Sequence, residues 1–88
     1  MTAARGWWLD LEHLRLTVEP DGEHWEVFVY DRIARLVIYR AKRMTLHGAK
    51  IAAVEYALLH LGDPEHRQNP EEVAEALRWK AIGKAAVQ

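Results

Sequence analysis

The sequence predicts an α+β domain: a three-stranded antiparallel meander, four-stranded if the segment from Trp7 joins it, then a packed helix and a C-terminal helix. Three features predict it. The run Trp25-Glu26-Val27-Phe28-Val29-Tyr30 is almost wholly β-branched or aromatic, the composition that suits a pleated surface. Side chains alternate along a strand, so this run is apolar on both faces and belongs inside a sheet. Glu19-Pro20-Asp21-Gly22, just before it, has turn chemistry. Between Thr45 and Gly62 the apolar residues recur at helical spacing.

Taken in order, residues 1–6 read as a loose leader and residues 7–40 as the sheet. Trp7, Leu9 and Leu11 alternate as in a strand, with a short helix over 7–12 as the alternative. The phase then slips, because Leu14, Leu16 and Val18 have the opposite parity; a β-bulge at Glu12-His13 would reconcile the halves. The proline–glycine turn joins Leu14–Glu19 to Trp25–Tyr30 as a hairpin. Asp31–Ala34 is a weaker turn, and Arg35–Arg40 follows as a further strand.

Thr45 is placed to cap a helix over residues 45–61, ended by Gly62. Leu46, Val54, Ala57, Leu58 and Leu61 form its stripe, and Ala49, Ala53 and Ala57 allow a close approach to the sheet. Asp63–Gln68 is a polar connection. Asn69-Pro70-Glu71-Glu72 is a strong helix start, with proline at the first helical position and acids at the positive helix end. This second helix is predicted over residues 70–82, stopping at Gly83.

In the simple meander the core face carries Leu14, Leu16, Val18, Trp25, Val27, Val29, Leu36 and Ile38. The opposite face carries Phe28, Tyr30, Val37 and Tyr39, with Arg15, Thr17 and Arg35 around them and Lys42 and Arg43 just beyond. Three occupants compete for it. The second helix, with Trp79, folds back and closes it. A second copy or a small protein partner buries it, in keeping with the aromatic and arginine content of interfaces. Single-stranded nucleic acid stacks on the aromatics, with the basic residues meeting phosphate.

Composition narrows the function classes. The 88 residues are enough for one domain, with half of them apolar and 28% charged. No cysteine occurs, so disulfides and thiolate-bound metals are excluded, and a reducing cytoplasm is expected. No apolar run approaches the ~20 residues that span a membrane. A net charge of −1 supplies no general attraction to nucleic acid.

The residues of chemistry are sparse. His13, His24, His47, His60 and His66 include no pair at metal-ligand spacing along the chain, so neither a metal nor a cofactor is expected. Serine is absent, the glycines are scattered, and Glu71-Glu72 is explained by helix-start electrostatics. The expectation is a protein without catalytic residues. Its candidate interaction surface is Phe28, Tyr30, Arg35, Val37, Tyr39, Arg43 and Trp79, serving a homodimer or a protein partner.

Val18 to Tyr30 with Asp21-Gly22 at the hairpin, then Thr45 opening a helix with Ala49 in its first turn, resembles the partial double-stranded-RNA-binding-like fold of HicB-type antitoxins. The likeness covers about half the chain. The proline- and glycine-containing segment that follows the second strand in that family is replaced here by Asp31-Arg32-Ile33-Ala34. The resemblance implies a small binding protein that dimerises and masks a partner.

Overall fold

The computed structural model describes residues 5–62 and 69–82. Five strands and two helices follow one another: β1 (Gly6–Leu11), β2 (Leu14–Asp21), β3 (His24–Asp31), β4 (Leu36–Arg43), α1 (Leu46–His60), α2 (Pro70–Ala76) and β5 (Lys80–Ile82). All strands join one antiparallel sheet in the order β4-β3-β2-β1-β5. The α+β meander is therefore as predicted, with more strands than expected. The aromatic run lies in β3, flanked on both sides by strands.

Several details differ from the sequence reading. The β2–β3 turn is Gly22-Glu23, since Pro20 and Asp21 belong to β2 and pair with Trp25 and His24. The phase slip after Leu11 marks a chain reversal and not a bulge: Glu12 and His13 form a two-residue turn between Leu11 and its partner Leu14. Glu12 takes a left-handed φ of 59° there, a conformation an L residue adopts only at a local cost. The bulge lies instead in β4. Val29 pairs with Tyr39 and Tyr30 with Val37, so Ile38 is the extra residue and Tyr39 turns to the helix side. Tyr56 of α1 donates its hydroxyl to the Ile38 carbonyl at 3.3 Å.

Further differences involve the C-terminal segment. The second helix ends at Ala76 and not at Ile82, because Leu77 is already extended. Lys80–Ile82 then pairs with Gly6–Trp8, and Arg5 donates its N–H to the Ile82 carbonyl at 2.9 Å. Arg5 and Gly6, predicted as leader, are thus tied to the sheet; the rest of the predicted leader, the 63–68 connection and Gly83 lie outside the described residues. Finally, α2 packs beside α1, on the same side of the sheet, and does not close the other face.

The turns carry their own bonds. Asp31 Oδ1 accepts from the N–H groups of Ile33 and Ala34, both at 2.9 Å. The Ala34 amide foremost holds the Asp31 carboxyl below the usual carboxylate range. Thr45 Oγ1 accepts from Gly48 N–H at 3.0 Å, and Asn69 Oδ1 from Glu71 N–H at 2.8 Å, so both predicted caps form.

The core lies between the sheet and α1. Leu14, Leu16, Val18, Val27 and Val29 are fully buried from the sheet, and Ala49, Ala53, Val54 and Ala57 from the helix. Small residues on the seated face of α1 bring its backbone close to β2 and β3. Trp25 is half-buried at the core margin. On the far edge β4 pairs on one side only, and its Leu36 and Val37 remain 51% and 43% exposed.

Leu16→Ala should lower unfolding free energy by about 2–5 kcal/mol, whereas exposed Leu59→Ala should stay within about 0.5 kcal/mol, read from urea denaturation. Gly6→Ala should lose about 1–3 kcal/mol, because a Cβ at Gly6 would sit 2.5 Å from the Val18 carbonyl oxygen.

Candidate functional site: the uncovered sheet face

Both helices lie on one side of the sheet, and among the described residues none packs over the other. Three cross-strand rows tile that open face. The middle row runs Lys80–Trp8–Thr17–Phe28–Arg40 across all five strands. One flanking row is Asp10–Arg15–Tyr30–Val37, and the other is Glu19–Glu26–Lys42. The pleat sets these rows two residues apart along each strand.

Cations cover the aromatic rings. The Arg15 guanidinium stands 4.3 Å from the Trp8 ring centre, with Lys80 Nζ at 4.8 Å. The Arg40 guanidinium is 5.0 Å from that of Phe28. These distances are within cation–π range. Arg15 also grips Asp10 through two bonds, Nε to Oδ1 at 2.8 Å and Nη2 to Oδ2 at 3.0 Å. This planar fork fixes Arg15 over Trp8. It also holds the Asp10 carboxyl below the carboxylate range, with a smaller contribution from Arg32 at 3.8 Å.

The structure gathers Phe28, Tyr30 and Val37 on the open face, as the sequence predicts, but separates the other four candidates. Tyr39 lies on the helix side, stacked on Tyr56 with ring centres 4.2 Å apart. Trp79 is also on the helix side, its indole N–H donating to the Ala74 carbonyl at 3.1 Å. Arg35 sits in the β3–β4 turn with a φ of 63°. Arg43 ends β4, its guanidinium donating to the Lys42 carbonyl at 2.7 Å. Trp8, Arg40 and Lys80 belong to the face and escape the sequence reading. Trp8 was legible from its parity opposite Trp7, once residues 7–11 are taken as a strand.

A second recess opens on the helix side. Trp7, His47, Lys50, Glu75, Leu77 and Trp79 line a cleft of about 300 Å³. Lys50 Nζ lies between two indoles, 5.0 Å from Trp7 and 5.4 Å from Trp79. Burial pushes the Lys50 ammonium below its ordinary pKa. At the rim, His47 Nε2 is 3.1 Å from a Glu71 carboxylate oxygen.

No family model, curated protein or solved structure matches the chain. No helix of the described residues is long and apolar enough to cross a membrane.

The Asp10–Arg15 pair gives a pH signature. A carboxyl whose folded pKa is depressed stabilises the fold above its unfolded value of 3.8, and that contribution disappears as pH falls through the lower folded value. Asp10→Asn should therefore lose up to about 1 kcal/mol at neutral pH, and the gap to the unmodified protein should narrow progressively as pH falls below 3.8, by urea denaturation across that range.

Proposed function

We propose that this protein is a non-catalytic interaction module that binds a protein surface, a second copy of itself or a partner, through the uncovered sheet face. One observation carries this reading: a five-strand sheet holds both its helices on one side, leaving Trp8, Phe28 and Tyr30 on the other. Half-buried aromatics edged by arginine are the composition of interface centres. The face is also mixed in charge, with Asp10, Glu19 and Glu26 among Arg15, Arg40, Lys42 and Lys80. Such a surface suits a partner of likewise mixed charge. It is self-complementary as well: turned over about an axis across the strands, one copy's Glu19–Glu26 row meets the other's Arg15 row. This is the role the HicB-like resemblance implies.

Single-stranded nucleic acid is the second reading, favoured by the aromatic row and its cations. Three acids on the same face oppose a phosphate chain, which places this reading behind the first.

Light scattering on the purified chain separates the two. Self-association gives a doubled mass, returned to the monomer value by Phe28→Glu. A monomer that is retained on an oligonucleotide column at low salt, and released by Arg40→Glu, replaces the proposal with the nucleic-acid reading.

A further inference from the structure

Three residues far apart in the chain meet where the β1–β2 turn, the β3–β4 turn and the end of α1 converge. His13 lies in the first turn, Asp31 ends β3, and His60 ends α1. One donor atom from each lies within 4.8 Å of the other two. His13 Nε2 and Asp31 Oδ2 are 3.7 Å apart, and the two imidazole centres 6.3 Å apart. From this geometry we propose that His13, Asp31 and His60 form a binding site for a divalent transition-metal ion of the zinc class.

The donor set fits that ion. Two neutral imidazoles and a carboxylate are common zinc ligands, with bonds of about 2.0–2.2 Å. Tetrahedral coordination at that length places donors about 3.4 Å from one another. The His13–Asp31 separation is already close to this, and side-chain rotation supplies the rest.

The surroundings support the site. Oδ1 of Asp31 is committed to the Ile33 and Ala34 amides, which leaves Oδ2 directed at His13. Metal-bound carboxylates are oriented in this manner by outer hydrogen bonds. The two turns are latched together, since Arg32 N–H donates to the His13 carbonyl at 2.9 Å and its guanidinium to the Glu12 carbonyl at 2.8 Å. That commitment, with the Asp10 contact, uses the arginine charge elsewhere. The His60 ring stacks on Tyr56 at 5.9 Å, and Tyr56 on Tyr39, so the third ligand is backed by an aromatic column. The Asp31 side chain is only 13% exposed and that of His13 35%. Three protein ligands leave one coordination position open to water or to a donor from a partner.

The trio His47, Glu71 and Glu75 is the other group with metal-compatible spacing among the described residues. It has a single imidazole and three largely solvated side chains, and Glu71 is already accounted for by the start of α2. It therefore serves as the control.

Zinc chloride titrated into the full chain, freed of metal by a chelator, tests the proposal by calorimetry and thermal melting. The expected result is saturable one-to-one binding that raises the melting temperature as zinc rises. His13→Gln and His60→Gln should each weaken binding about tenfold or more, while His47→Gln leaves it unchanged. Cobalt(II) added to the unsubstituted chain should give the visible absorption of a tetrahedral nitrogen–oxygen site, a readout that needs no variant. Absence of saturable binding overturns the proposal. So does binding that survives both His13→Gln and His60→Gln, or that His47→Gln abolishes.

Discussion

The close seating of α1 on the middle strands governs this structure. Ala49, Ala53 and Ala57 present little more than methyl groups to Val18, Val27 and Val29, and all six are fully buried. Dispersion and water exclusion act strongly at such short range. Much follows from that contact. Since the helix rides near the sheet, one helix covers the central strands, and α2 packs beside it against α1. The helical layer is spent on one side. Among the described residues, the other side of the sheet has only its own charged side chains over its aromatics.

Arg15, Arg40 and Lys80 perform that covering, and the manner of it bears on binding. Aliphatic stems lie along the sheet while charged heads sit above the rings, so the face is neither bare hydrocarbon nor fully polar. The partner proposed above need not strip the aromatics from water at full cost. It needs carboxylates or carbonyls where the guanidinium groups already are. Arg15 is held by Asp10 and so presents a fixed orientation, which limits the side-chain entropy lost on association.

The strongest local signals in the chain were legible, and the long-range ones were not. The Thr45 and Asn69 caps and the helix end before Gly62 are set by neighbouring residues, and each appears where the spacing places it; the β2–β3 turn forms at Gly22-Glu23, later than the proline suggests, because Pro20 and Asp21 still pair with Trp25 and His24. The β1–β2 reversal was misread because Glu12-His13 carries no glycine or proline to announce a turn. The bulge at Ile38 leaves no mark in an unbroken apolar run, yet it alone moves Tyr39 to the other face. Lys80–Ile82 continues an apparent helical pattern. It becomes a strand because the free edge of β1 offers backbone partners, a tertiary effect no local propensity encodes. The site followed the same division: Phe28, Tyr30 and Val37 come from alternation, whereas His13, Asp31 and His60 are brought together by the fold alone.

The outer strand β4 also bears on the protein's colloidal behaviour. A strand paired on one side offers a template on which further chains can stack into fibrils. Here the second half of that strand carries Arg40, Lys42 and Arg43, with little but Ala41 between them. Any copy adding edge-to-edge in antiparallel fashion sets one cationic segment near another or against the apolar half. The three positive residues act as gatekeepers against such edge-to-edge stacking, so that β4 resists growth into a fibril although it is paired on one side only.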